Sequence, residues 1–121
     1  MNSGIWVTAA AALVCSFVGA PAEASSQKTF SGVAAYYDTH YAGRTATGER
    51  YDPSRFTAAH RTLPFGTRLR VTDRQTNRSV LVIVNDRGPF NKGRVLDLSL
   101  AAAKALRMQE HGIIRVTAAV E

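Results

Sequence analysis

Two loops of this 121-residue chain contain polar residues whose types and positions could carry out chemistry. Asp86 comes just after the apolar segment Ser79–Val84, where a carboxyl group is poorly solvated. Poor solvation favours the protonated form, and a protonated carboxylic acid near neutral pH can act as a general acid. We therefore predict that Asp86 is the central residue of a site. The other polar residues of the two loops are His40, Glu49, Asp52, His60, Asn85 and Arg87.

Each candidate also has a structural interpretation that the sequence leaves open. Asp86 could be a turn residue that binds backbone amides, and Asp52 could cap a helix that begins at Pro53. Glu49 could be an exposed partner of a neighbouring arginine, and His60 a half-buried histidine with its own hydrogen bonds. We expect Asp97 to have a structural role as a cap of the last helix.

The sequence favours chemistry without a metal or a cofactor. His40, His60 and His111 are far apart in the chain and lack the close pairing of a zinc motif. The chain has no Gly-rich phosphate loop, no serine elbow and no cysteine–histidine nucleophile pair. Its single cysteine, Cys15, lies in an apolar N-terminal run. We expect no metal ion and no cofactor.

The hydrophobic pattern predicts a mostly-β domain with one or two short helices, closed as a barrel or paired as a sandwich. Thr67–Asp73 alternates between apolar and polar residues, as a half-buried strand does, whereas Ser79–Val84 is nearly all apolar and suggests a strand buried on both faces. Other predicted strands are Phe30–Tyr37, Arg94–Leu98 and Ile113–Val120. The predicted helices run from Asp52 to Ala59 and from Ser99 to Met108.

The N-terminal segment has the pattern of a secretory signal peptide. Ile5–Ala20 contains no charged residue, and Ala22-Glu23-Ala24 fits the small-x-small pattern of a cleavage site. We predict a signal peptide over residues 1–24, a polar lead-in over 25–30 and one domain over 31–121. Export to the periplasm or cell envelope follows, without stable membrane insertion. Cys15 fits a lipid-attachment motif poorly, because Val14 directly precedes it.

The charge of the exported part indicates an anionic partner. Residues 25–121 contain all 15 Lys and Arg residues and eight acidic residues, a net charge of +7. The arginines are scattered, and the aromatic-rich signature of an RNA-binding domain is missing, so we expect no nucleic acid. A cell-wall polymer fits an exported basic domain better.

Five segments together resemble the rare lipoprotein A family. The resemblance covers residues 31–120 and implies a six-stranded double-psi β-barrel in the cell envelope. It also implies endolytic lytic transglycosylase activity on peptidoglycan, and it places functional residues at Glu49, Asp52, His60 and Asp86. The five segments are Gly32–Tyr37, Gly43–Asp52, Thr57–Thr67, Val84–Phe90 and Arg94–Ser99.

Such an enzyme cleaves glycan strands without water, since the muramoyl C6 hydroxyl attacks its own anomeric carbon. Asp86 is the expected acid and base, while Glu49, Asp52 and His60 position the sugar or stabilise charge. The expected substrate-binding residues are Tyr36, Tyr37, Arg44, Asn85 and Arg87, acting in a monomer. Two alternatives remain: an expansin-like module that binds glycan without cleaving it, and a wall-acting protein delivered outside the cell.

Overall fold

The structure is a computed structural model that describes residues 28–121, so the predicted signal peptide and Cys15 lie outside the described residues. Over the described part, no helix is long and apolar enough to cross a membrane. The elements are β1 (Thr29–Tyr36), β2 (Thr57–Ala59), β3 (Arg68–Asp73), β4 (Ser79–Asp86), β5 (Arg94–Leu98), α1 (Leu100–Ala105) and β6 (Ile114–Val120).

The six strands form a closed barrel in the order β1-β5-β2-β4-β3-β6. Two neighbouring pairs, β1 with β5 and β2 with β4, are parallel, and the other four pairs are antiparallel. Closure leaves no strand edge unpaired, which confirms the barrel alternative of the sequence prediction. Gly32 allows β1 to approach β5, because a Cβ there would lie 2.6 Å from a methyl group of Val95.

The barrel interior is filled by alternate residues of the strands. Leu69 and Val71 of β3 are fully buried, as the alternating pattern predicts. In β4, Val82 and Val84 are also fully buried, but Ile83 between them is 40% exposed. The prediction that this strand is buried on both faces is therefore wrong. A strand in a barrel wall has one interior face, and an apolar residue on the other face can remain in solvent.

The predicted helix from Asp52 to Ala59 is also wrong. The chain makes a turn after Pro53 and then enters β2, whose three residues are all buried. β2 pairs with β4 on one side and with β5 on the other, so it closes the barrel between them. Asp52 caps only the turn, since its Oδ1 accepts hydrogen bonds from the backbone N–H and the hydroxyl of Ser54.

Ser99 begins helix α1, and it also holds β2 in place. Its buried Oγ accepts hydrogen bonds from the N–H of Ala102, at 3.3 Å, and from the N–H of Thr57, at 3.2 Å. The first bond is the N-cap that the sequence predicts. Asp97 is not a cap, because it lies within β5, and α1 ends at Ala105 rather than Met108.

We predict that Ser99→Ala lowers the free energy of unfolding by about 1–3 kcal/mol, because two buried N–H groups lose their acceptor. Urea denaturation of the parent and variant chains measures the loss. The matched control is Ser31→Ala, which changes an exposed serine of β1 and should leave the midpoint nearly unchanged. Equal midpoints for Ser99→Ala and the parent would contradict the double role of this hydroxyl.

Candidate active site

Two carboxylates stand in one row across four neighbouring strands. The strand register pairs Ala35 with Asp97, Asp97 with Ala59, and Ala59 with Asp86. Residues paired across neighbouring strands project from the same face of a sheet. Asp86 and Asp97 therefore lie on either side of Ala59, with Cα atoms about 10 Å apart at the usual strand spacing. We call Ala35, Asp97, Ala59 and Asp86 the carboxylate row.

A bulge in β4 turns Asp86 onto this face. Ala58 pairs with Val84, but the next residue of β2, Ala59, pairs with Asp86, so Asn85 is an additional residue in β4. Without it, Asp86 would continue the inward series of Val82 and Val84. A bulge commonly redirects a side chain next to a functional site. Asn85, expected to bind substrate, thus sets the direction of Asp86.

The carboxylate of Asp86 is well supplied with hydrogen-bond donors. Its Oδ1 accepts bonds from the backbone N–H of Ala46, at 2.7 Å, and of Arg87, at 2.8 Å. Its Oδ2 accepts a bond from the hydroxyl of Tyr37. The expectation of a poorly solvated carboxyl group is not met, because the loops replace water with three donors.

Tyr37 and Tyr36 point to different places. Burial, and then the neighbouring Asp86, raise the pKa of Tyr37, so its hydroxyl stays protonated and donates a hydrogen bond to Asp86. Its ring stacks on Tyr51 at 4.4 Å between centroids. Tyr36 packs against the core instead, and its hydroxyl donates to the carbonyl oxygen of Gln109. Of the two tyrosines expected to bind sugar, only Tyr37 contacts the row.

The backbone of His60 bonds to Asp86, whereas its ring packs against the ring of Phe30, at 5.1 Å between centroids. Its backbone N–H donates to the carbonyl oxygen of Asp86 at 3.1 Å. Its Nδ1 accepts hydrogen bonds from the N–H groups of Thr62 and Leu63, so a neutral ring has its proton on Nε2. Burial lowers the pKa of His60, and the nearby charge of Arg87 lowers it further. The ring can therefore donate a hydrogen bond from Nε2.

Arg87 holds the loop of His60 in place. Its Nη1 donates to the carbonyl oxygens of His60, at 3.2 Å, and Leu63, at 2.8 Å. Its guanidinium lies 4.0 Å above the ring centre of Phe65. The sequence predicted that Arg87 contacts substrate, but these contacts give it a positioning role.

The loop between β1 and β2 connects to the site through its backbone. Arg44 and Arg50 pair across a tight turn, where Gly48 takes a φ of 94°. The guanidinium of Arg44 donates to the carbonyl oxygen of Gly48. The N–H of Ala46 in this turn donates to Asp86. The loop thus holds the Asp86 carboxylate, while the Arg44 side chain bonds its own turn.

Glu49 and Asp52 lie on the exposed side of this loop. The carboxylate of Glu49 accepts a bond from Thr47 and lies 3.9 Å from Nη1 of Arg55. Hydrogen bonds from Ser54 lower the pKa of Asp52. Within residues 28–121, neither side chain forms a hydrogen bond or ion pair with the other two predicted residues. Of the four predicted residues, the structure thus joins Asp86 to the backbone of His60, with the side chains of Glu49 and Asp52 outside them.

Asp97 is the site residue that the sequence interpretation missed. Burial raises its pKa, and the negative charge of Asp86 raises it further, although the ion pair with Arg94 at 3.1 Å opposes both. A pair of acids whose environments separate their protonation states is a common arrangement in acid–base catalysis. The sequence contained a signal for this position. Asp97 lies between Leu96 and Leu98, and if both leucine side chains point into the core, the side chain of Asp97 must point outward.

A cavity of about 560 Å³ adjoins the row between the end of β1 and the start of β6. Its lining includes Ala35, Tyr37, Arg94 and Ile113. Residues 28–121 contain no group of three or more His, Cys, Asp or Glu side chains placed to hold a metal ion.

Residues 29–118 match the family described as "Lytic transglycolase". The chain belongs to this family. A protein of Nostoc sp. named probable endolytic peptidoglycan transglycosylase RlpA is 54% identical over 95 residues, covering 76% of this chain and 26% of that protein. The endolytic peptidoglycan transglycosylase RlpA of Pseudomonas aeruginosa is 52% identical over 86 residues, covering 70% of this chain and 25% of that protein. The resemblance to rare lipoprotein A is confirmed.

The chain spans between a quarter and about two fifths of the curated relatives it matches, with 41% coverage for the Neisseria meningitidis RlpA. Solved structures confirm the double-psi barrel. The Streptomyces papain inhibitor superposes with a TM-score of 0.61 at 24% identity, over 75% of this chain and 92% of that chain. The apo expansin of Clavibacter michiganensis gives 0.59 at 26% identity, over 78% and 50%.

The raised pKa of Asp97 predicts a pH-dependent stability. Because the folded chain keeps this proton to a higher pH than the unfolded chain, the free energy of unfolding falls as pH rises between the two pKa values. Asp97→Asn removes that loss. We expect the stability of the variant relative to the parent to increase as pH rises above about 4, the ordinary pKa of an aspartate, and to level off once Asp97 of the folded parent has lost its proton, as measured by urea denaturation.

The control for this experiment is Asp52→Asn, because Asp52 has a lowered pKa in the folded chain. The parent gains stability from Asp52 as pH rises, so the relative stability of this variant should change in the opposite direction. A pH-independent difference between Asp97→Asn and the parent would show that Asp97 is not held in its protonated form.

Proposed function

We propose that the chain is a lytic transglycosylase that cleaves peptidoglycan glycan strands and leaves 1,6-anhydro-muramoyl ends. The observation that carries the proposal is the carboxylate row, in which Asp97 is biased toward protonation and Asp86 is surrounded by donors. The family and its relatives named as peptidoglycan transglycosylases support it.

The row supplies an acid and a base for this reaction. Asp97 donates its proton to the glycosidic oxygen as the bond to the anomeric carbon breaks. Asp86, whose oxygens are held by three hydrogen-bond donors, stabilises the positive charge that develops at that carbon. The muramoyl C6 hydroxyl then forms the new bond to the anomeric carbon, and its proton goes to Asp97, which regains its starting state. This assignment gives Asp97 the acid role that the sequence suggested for Asp86.

The neighbouring residues position the sugar. His60, with a proton on Nε2, donates a hydrogen bond to a sugar oxygen, and Tyr37 fixes the orientation of Asp86. Glu49 and Asp52 contact the glycan from the exposed side of their loop. Phe90, which is 78% exposed and follows the Asp86 loop, offers a ring for sugar stacking.

The cell wall as substrate implies a location in the cell envelope. We propose that the chain reaches it through the signal peptide over residues 1–24 and acts there as a monomer. The net charge of +7 on residues 25–121 favours association with an anionic wall.

We expect Asp86→Asn and Asp97→Asn each to lower the release of anhydro-muropeptides from purified sacculi by at least about 100-fold. Liquid chromatography of the soluble products measures the release. The control is Glu121→Gln, which removes a negative charge at the far end of β6, where Glu121 pairs with Arg70. It should retain activity.

The same digest tests the alternative of a glycan-binding module. Sacculi that retain the parent chain on pelleting, but show no anhydro ends, would support binding without cleavage and contradict the proposed reaction. Release of anhydro products by Asp86→Asn at the parent rate would remove Asp86 from the mechanism.

A further inference from the structure

A second cavity, of about 890 Å³, opens where the β3–β4 hairpin meets the start of β6. Its lining is strongly basic, and all of the basic side chains belong to exposed residues. They are Arg74, Arg78, Arg107, His111 and Arg115, and we call this site the arginine cavity.

Within residues 28–121, no acidic side chain forms an ion pair with the arginines of the arginine cavity. Among the described residues, the ion pairs involve other arginines, and none of the four cavity arginines has a side-chain hydrogen bond. The one acidic lining residue, Asp73, is 5% exposed and accepts a hydrogen bond from the N–H of Gln75.

Two of these arginines are neighbours, because Arg74 follows β3 directly and Arg115 lies on the adjacent strand β6. The backbone N–H of Arg74 donates to the carbonyl oxygen of Arg115 at 3.0 Å. Like charges on neighbouring strands destabilise a sheet, so a cluster without counterions reduces stability. An anionic ligand would remove this cost.

The arginine cavity continues the line of the carboxylate row. Ala34 pairs with Ile114, which places Ile113 beside Ala35, and Ile113 lines both the arginine cavity and the smaller cavity next to Tyr37. From Asp97 the line crosses β1 and β6 to reach β3, a path of about 10–15 Å at the usual strand spacing. A glycan of a few sugar units lying on the row would reach the cavity.

We propose that the arginine cavity binds carboxylate groups of the peptidoglycan strand that lies across the carboxylate row. This inference rests on the proposed function. Guanidinium groups bind carboxylates through paired hydrogen bonds, and the cavity offers four of them. Peptidoglycan carries carboxylates on its stem peptides, or on the lactyl groups where the peptides are absent.

The test compares Arg74→Gln/Arg115→Gln with Arg68→Gln/Lys104→Gln. Both double variants remove two positive charges, but Arg68 and Lys104 are exposed residues outside the cavity. Equilibrium binding is measured to three immobilised glycans: peptide-bearing peptidoglycan, peptide-free peptidoglycan and uncharged chito-oligosaccharide. Release of anhydro products from the same glycans is measured for the parent and for both double variants, each as the full chain.

We expect the cavity variant to bind at least one carboxylate-bearing glycan about tenfold more weakly than the parent, and chito-oligosaccharide equally well. The glycan that shows the loss identifies the stem or the lactyl carboxylate as the ligand. The control variant should bind like the parent, and the cavity variant should unfold at the same or a higher urea concentration, since it has lost a repulsion.

If both double variants bind the carboxylate-bearing glycans equally weakly, the effect is one of net charge and the proposal is overturned. Binding by the cavity variant that equals that of the parent would also overturn it. If the parent releases anhydro products in either case, the proposed function stands without the arginine cavity. A parent chain that neither binds nor cleaves any of the glycans would overturn both.

Discussion

The site depends on one backbone irregularity, the additional residue Asn85 in β4. A regular strand would send Asp86 into the barrel, where Val82 and Val84 already point and where a carboxylate could find neither water nor a partner. The bulge turns it outward, next to the loops that provide its three donors. One of these loops is itself held in place, because Arg87 donates hydrogen bonds to the carbonyl oxygens of His60 and Leu63.

Asp86 and Asp97 lie in one row, but they have different hydrogen-bond partners and different degrees of burial. Asp86 receives a hydroxyl and two backbone N–H groups, so its charge is compensated where it stands. Asp97 has one arginine partner and is otherwise buried next to another negative charge, and both conditions favour its neutral form. The different hydrogen bonding of these two aspartates follows from where the donors are, and not from the type of residue.

The sequence predicts much of the barrel but less of the site. The alternation of Leu69 and Val71 and the boundaries of Arg94–Leu98 were readable, because a period of two reports a half-buried strand. Strand β2 could not be predicted in this way. Asp52-Pro53 is a typical helix start, and a strand of three residues is too short to show an alternating pattern. The bulge at Asn85 was hidden for a related reason: Val80–Val84 is apolar throughout, so the pattern does not show where the inward series ends. Asp97 was readable but was assigned to the helix that Ser99 caps.

The small residues of the row explain why its charged groups can act on a long polymer. Ala59 separates the two carboxylates and Ala35 lies beyond them, so apart from Asp97 itself no side chain larger than a methyl group lies between Asp86 and Ile113 along this line. Both alanines are 4% exposed or less, whereas Asp86 and Asp97 are partly exposed, so the carboxylates are the part of the row that a polymer can contact. A closed barrel has no free edge at which a polymer could add as a strand. A sugar chain that crosses the strands in this direction meets Asp86 and Asp97 in turn, since the two residues lie on one line across β4, β2 and β5.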